Sequence, residues 1–334
     1  MTRCTVLGAG SWGTALAIQL CNQGHEVLLW DRNADRCDVM NRDHRNPRYL
    51  RQVSLPESLV AVSDLGAAVR HADVLVPVLP SHALREVMVA AADHVGTNTA
   101  IGCATKGIEV GTTLTMAEVL EEVLSSDVHD NITVLYGPSF ALELARGLPT
   151  AVVCAGPDEA SHQVIEAFHG GALRVYHTDD VSGVCVGGSL KNVMAIACGV
   201  SDGVGLGSNA RAAIITRGLA EITRLAVRLG ANPLTMAGLA GMGDLVLTCT
   251  GNLSRNRRVG LALGEGRTLQ SILDELGEVA EGVITARSAL ELAAKVGVEM
   301  PITEQVYALL YDGKPPDRAL ADLMRRERRA ERDH

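Results

Sequence analysis

The sequence predicts an α/β fold: an N-terminal doubly wound, Rossmann-type parallel sheet followed by an all-helical C-terminal domain. Three observations predict it. A glycine-rich turn, Gly8-Ala-Gly10-Ser11-Trp12-Gly13, joins a short apolar run to a helical pattern. Short apolar runs then alternate with amphipathic segments through the first half, as βαβ units do. After about Val181 the strand signals stop and only helical spacing remains.

The strand candidates are Cys4–Leu7, Glu26–Trp30, Asp73–Val78, Ala100–Ala104, Ile132–Tyr136, Thr150–Ala155 and Leu173–Tyr176. Helical patterns fall between them over Thr14–Gln23, His82–Ala92, Thr115–Leu124 and Asp158–Phe168. Pro77 has no ladder N–H to give, so it belongs near the end of its strand. In the second half Ile215, Leu219, Ile222, Ala226 and Leu229 share one helical face, closed by Gly230. Further helices are expected over Leu269–Leu276, Ile284–Val296, Glu304–Tyr311 and Arg318–Arg328. The expected domains are residues 1–180 and 181–334.

A chain of 334 residues is too long for one ordinary core. With 47% hydrophobic and 21% charged residues it folds compactly and is not a disordered chain. A net charge of -9 argues against nucleic-acid or anionic-lipid partners, so an anionic ligand needs a local basic cluster. Eight cysteines without C-x-x-C spacing read as reduced thiols. No signal-peptide pattern follows Met1, and the expected location is the cytoplasm. The stretch between Asp180 and Asp202 carries one charge, Lys191, at its centre. A central lysine is costly in lipid, so this reads as a buried helix and not a membrane span. The histidines show no metal-ligand spacing, and there is no G-x-S-x-G elbow, so neither a metal site nor serine hydrolysis is expected.

The glycine turn points to a dinucleotide. Gly8 allows the tight turn, Gly10 lets backbone approach the pyrophosphate, and Gly13 lets the helix pack on the strand. The next strand ends in Asp31, which could accept from a ribose 2′-OH and favour NAD. Arg32 beside it could hold a 2′-phosphate and favour NADP. The cofactor is therefore NADP or NAD, with NADPH slightly favoured.

Lys191 lies among Val184, Leu190, Val193, Met194 and Ile196. Burial there disfavours an ammonium and suits it to acid–base work. Equally, its stem could carry the charge out to water. Lys106 and Gly137-Pro-Ser139-Phe-Ala141 each follow a strand, at the sheet edge where such folds bind ligands; ordinary capped turns read the same way. Ser254-Arg255-Asn256-Arg257-Arg258 is a basic cluster suited to a phosphate, with Arg257 and Arg258 read as a solvated helix start.

Together these segments resemble the bacterial NAD(P)-dependent glycerol-3-phosphate dehydrogenases over nearly the whole length. The shared motifs include Gly8–Ala17, Ala104–Gly107, Gly137–Ala141, Leu190–Val193, Ser201–Gly203, Asn209–Arg211, Gly241–Leu245, Ser254–Arg257 and Glu299–Glu304. The resemblance implies reversible reduction of dihydroxyacetone phosphate to sn-glycerol 3-phosphate, supplying glycerophospholipid synthesis in the cytoplasm. It implies Lys191 as proton donor and acceptor. It implies substrate contacts at Lys106, Gly137, Ser139, Lys191, Asp244, Ser254, Arg255 and Asn256. The implied cofactor contacts are Ser11, Trp12, Arg32, Lys106, Ala141, Arg255, Val279 and Glu281, beside the loop glycines Gly8, Gly10 and Gly13. On this reading the first domain binds the dinucleotide and the second carries substrate binding and catalysis. The assembly state is open, a homodimer being one candidate.

Overall fold

The computed structural model describes residues 1–277 and 279–327. The chain divides into two compact units, one of Met1–Lys106 with Leu114–Val184 and one of Gly107–Thr113 with the chain from Cys185 onward. The division thus falls after Val184, where residue 180 was expected, and it transfers a short segment to the helical unit. That segment is anchored there. Ile108 is fully buried in the helical core, Ser288 Oγ donates to its carbonyl at 2.9 Å, and Ser189 Oγ donates to the Gly107 carbonyl at 3.0 Å.

The first unit holds one sheet of eight strands: β1 (Arg3–Leu7), β2 (Glu26–Trp30), β3 (Leu59–Val62), β4 (Val74–Pro77), β5 (Ala100–Cys103), β6 (Ile132–Tyr136), β7 (Thr150–Ala155) and β8 (Leu173–Thr178). Its order is β3-β2-β1-β4-β5-β6-β7-β8. The helices are α1 (Ser11–Asn22), α2 (Ala34–Asp43), α3 (Leu65–His71), α4 (Ser81–Ala91), α5 (Met116–Val123), α6 (Ala141–Ala145) and α7 (Asp158–Phe168). The order reverses around β1, between β2 and β4, and ligands of open α/β sheets bind at that switch point. Pro77 is the last residue of β4, opposite Leu7.

Two features depart from the expected pattern. The pair β6–β7 is antiparallel while every other pair is parallel. The only helix in its connection is the five-residue α6, too short for the crossover a parallel return needs. Strand β3 and helices α2 and α3 carry weak hydrophobic signals: β3 is a four-residue edge strand, and α2 buries only Cys37 and Met40.

The described part of the second unit is helical: α8 (Val181–Val204, whose first turn belongs to the first unit), α9 (Gly207–Arg228), α10 (Asp244–Thr250), α11 (Arg255–Gly264), α12 (Leu269–Leu276), α13 (Glu281–Val296), α14 (Pro301–Tyr311) and α15 (Pro316–Met324). The helix expected over Arg318–Arg328 thus ends at Met324, and Arg328 lies outside the described residues. Helix α8 is long and apolar enough to cross a membrane, yet its most apolar window is wholly buried in the fold. Glycines bring α11 against it. A Cβ on Gly199 would sit 2.1 Å from the Arg257 carbonyl oxygen, and one on Gly260 would sit 2.1 Å from that of Ile196. Gly203 and Gly264 repeat the pairing one turn on, so the two backbones touch with no side chain between them.

Helix α14 begins with Pro301 and has no capping side chain of its own. Glu221 of α9 supplies one, accepting from the backbone N–H of Ile302 at 2.7 Å and of Thr303 at 3.3 Å. Burial pushes its carboxyl up from 4.5 to about 7, against the lowering effect of those N–H donors. The unfolded chain therefore loses this proton near pH 4.5 while the folded chain keeps it to about pH 7. Stability should fall as pH rises through that window, by on the order of 3 kcal/mol from this group. Urea denaturation across pH 5–8 should show the decline, and Glu221→Gln should remove it. An unchanged slope in that variant would take Glu221 out of the account.

Candidate functional site

In the first unit the site is built at the carboxyl ends of β1 and β4. Gly8 sits at φ +117°, and a Cβ there would lie 2.5 Å from the Val78 carbonyl oxygen. A Cβ on Gly13 would lie 1.9 Å from the Gly8 carbonyl oxygen, so only glycine lets α1 start this close to the strand. Above Gly10, by contrast, a Cβ would meet nothing within 4 Å. Gly10 caps α1 without a side chain, which leaves the first-turn N–H groups of Ser11, Trp12 and Gly13 for a ligand. Trp12 Nε1 is buried and has no partner among the described residues. Open space over one glycine, with two others locked by backbone, fits a dinucleotide pyrophosphate.

Asn46 holds this loop in place, and the sequence reading passed over it. Its side chain is 2% exposed and makes all four hydrogen bonds an amide can. Nδ2 donates to the Ala9 carbonyl at 2.9 Å and to Thr14 Oγ1 at 3.0 Å, while Oδ1 accepts from the N–H groups of Arg48 and Tyr49. Asn46→Ala should weaken dinucleotide binding by about tenfold or more, since each lost bond is worth about 1 kcal/mol. A titration of Asn46→Asp separates the causes: it keeps the acceptor but loses both donors to the loop. Wild-type affinity in both variants would show that the loop holds its shape without Asn46.

Further along the same edge, Lys106 Nζ donates to the Gly137 carbonyl at 3.1 Å and lies 5.4 Å from the Tyr136 ring centre. Ser139 Oγ donates to the same carbonyl at 2.9 Å. Gly137, at φ +147°, passes so close to β7 that a Cβ would lie 2.9 Å from the Val152 Cα. Lys106, Gly137 and Ser139 are thus one hydrogen-bonded group, with Ala141 half-buried at the start of α6. Arg32 is exposed just past β2, beside a buried Asp31.

In the second unit Lys191 does not extend to water. It is 8% exposed, its Nζ lies 2.5 Å from Asp244 Oδ1, and it donates to Thr248 Oγ1 at 3.1 Å. Asp244 is fully buried at the start of α10, which follows a single π-helical turn over Leu239–Gly243. Such turns recur at functional sites. Thr248 sits one turn further along α10, at a spacing that could have marked it in the sequence.

Ser254 caps α11 by accepting from the Arg257 N–H at 3.2 Å, and exposed Arg255 follows it. Asn256 is buried; it donates to Asn192 Oδ1 and accepts from the Gly282 N–H, both at 2.9 Å. Asn256 thereby ties Asn192, the residue after Lys191, to α11 and to the start of α13. Glu281 is the first residue of that helix, and half-buried Val279 lies just before it. One expectation is corrected here. Arg257 is no solvated helix start: its side chain is 12% exposed, and Nη2 lies 2.6 Å from Asp202 Oδ2. Asp202 also takes Arg211 Nη1 at 2.9 Å, so three of the sequence motifs meet in one ion-pair cluster.

Comparison with known proteins agrees along the chain. Residues 3–162 match the family model described as NAD-dependent glycerol-3-phosphate dehydrogenase N-terminus, and residues 180–321 match its C-terminus. The chain is 55% identical to the glycerol-3-phosphate dehydrogenase [NAD(P)+] of Anaeromyxobacter dehalogenans, over 98% of this chain and 99% of that one. It is 52% identical to the protein of the same name from Myxococcus xanthus, over 98% of each. The crystal structure of glycerol-3-phosphate dehydrogenase from Coxiella burnetii is similar at a TM-score of 0.92 and 43% identity, covering 97% of this chain and 99% of that one.

Proposed function

The chain belongs to the NAD-dependent glycerol-3-phosphate dehydrogenase family, and on that premise we propose that it reduces dihydroxyacetone phosphate reversibly to sn-glycerol 3-phosphate with NADH or NADPH. The observation that carries the mechanism is the buried Lys191–Asp244–Thr248 group.

When bound at the Gly8–Gly13 loop, the reduced nicotinamide would supply the hydride that the ketone carbon accepts. As negative charge grows on the ketone oxygen, the Lys191 ammonium stabilises it and then donates a proton from Nζ. In the reverse direction the neutral amine takes that proton back. Asp244 holds the ammonium by charge, and Thr248 fixes the direction of a second N–H. Ser254, Arg255 and Asn256 bind the phosphate, and this remote binding positions the carbonyl. In the first unit Lys106, Gly137 and Ser139 serve substrate oxygens, while Gly8, Gly10, Ser11, Trp12, Gly13, Arg32, Lys106 and Ala141 serve the cofactor. The assignment of Arg255, Val279 and Glu281 to the cofactor follows the family motifs. We assign the product to glycerophospholipid synthesis in the cytoplasm.

Steady-state assays with dihydroxyacetone phosphate and with ketopantoate, each with NADH and NADPH, test this reading. Turnover is expected with dihydroxyacetone phosphate. Turnover with ketopantoate alone would replace the phosphate substrate with a carboxylate one.

A further inference from the structure

The carboxylate just past β2 is held in an ion pair through one of its oxygens. Asp31 is 5% exposed, and its Oδ1 lies 2.5 Å from Arg36 Nη2 while also accepting from the Asn33 N–H at 2.9 Å. Arg36 stands in the first turn of α2, itself only partly exposed. Arg32, next to Asp31, is exposed and has no partner among the described residues. Asp31, Arg32 and Arg36 therefore carry one negative and two positive charges, and the negative one is buried in an ion pair. The other acids nearby, Asp35 and Asp38, are exposed on α2, where water screens them.

A free carboxylate at this position selects NAD by accepting from the ribose hydroxyl and repelling a 2′-phosphate. We infer that Arg36 sets the cofactor preference of this chain: by neutralising Asp31 it removes the repulsion and leaves Arg32 to bind the 2′-phosphate, so that NADPH binds in preference to NADH. The inference rests on the cofactor site proposed above. Its distinctive content is that Arg36 acts through Asp31, and so the effect of losing Arg36 depends on the charge at position 31.

Binding of NADPH, NADH and adenosine 2′,5′-bisphosphate to the full chain, measured by calorimetric titration without substrate, tests this directly. The wild type should bind NADPH about tenfold or more tighter than NADH, the size of one charge-assisted contact. Arg36→Ala should weaken NADPH and the bisphosphate by about tenfold while NADH stays within about threefold, which also reports an intact fold. Arg36→Lys, which keeps the charge, should retain the preference. The double variant Asp31→Asn with Arg36→Ala should recover NADPH affinity to within about threefold of wild type. Equal affinities in the wild type, an unaffected Arg36→Ala, or no recovery in the double variant would each overturn the inference. Failure of the wild type to bind either nucleotide would instead overturn the cofactor site, and the inference with it.

Discussion

Lys191→Ala is expected to lower kcat by about 10³-fold, the range for loss of a positioned general acid, with NADPH affinity changed by less than about twofold. Two consequences of the geometry must be separated. Removing the amine removes both the proton and the positive charge facing the growing oxyanion. It also leaves Asp244, fully buried, without its ammonium. Breaking a buried pair from one side costs about 3–5 kcal/mol, so the variant should also unfold at lower denaturant concentration. The double variant Lys191→Met with Asp244→Asn removes the unpaired charge and should recover much of that stability without recovering turnover. Near-normal kcat in Lys191→Ala would exclude Lys191 as the acid. Recovery of turnover in the double variant would show that the loss came from misfolding.

Arg255→Ala should raise KM for dihydroxyacetone phosphate by about 10–100-fold, since a hydrogen bond to a charged group is worth about 1.5–3 kcal/mol. The neighbours of Arg255 already have structural partners. Ser254 Oγ caps α11, and Asn256 is held between Asn192 and Gly282. Their polar groups are partly committed to structure and Arg257 is paired with Asp202, which leaves Arg255, beside Ser254 and Asn256, as the cation next to those two groups. Arg255→Lys should fall between wild type and Arg255→Ala, because an ammonium keeps the charge but not the planar fork. An unchanged KM in Arg255→Ala would remove this residue from phosphate binding.

What the sequence made legible was set by short-range constraints. The Gly8–Gly13 loop is readable because each glycine answers a local steric demand, and the structure gives each demand a distance. Lys191 is readable because a lone charge interrupts an apolar helix. Its choice between burial and solvent could not be read, because its partner Asp244 is 53 residues away. Arg257 was misread for the same reason, with Asp202 lying 55 residues off. Asn46 gave no local signal at all: it sits in an arginine-rich stretch, and its value lies in reaching Ala9 and Thr14. The elements missed, β3, α2, α3, α6 and α10, are each ten residues or shorter, too short to establish a period in the sequence. The glycine contacts between α8 and α11 were visible as spacing, Gly199 with Gly203 and Gly260 with Gly264, but nothing in the spacing named the partner helix.

On the proposed mechanism hydride reaches the middle carbon of dihydroxyacetone phosphate and Lys191 supplies the proton. The most direct test incubates the chain with dihydroxyacetone phosphate and reduced cofactor deuterated at the transferable position, then follows the product by NMR and by its handedness. The account predicts one deuterium at C2 of sn-glycerol 3-phosphate for each cofactor oxidised, and none formed at a comparable rate by Lys191→Ala. Cofactor oxidation without label at C2, or labelled product at the wild-type rate from Lys191→Ala, would contradict it.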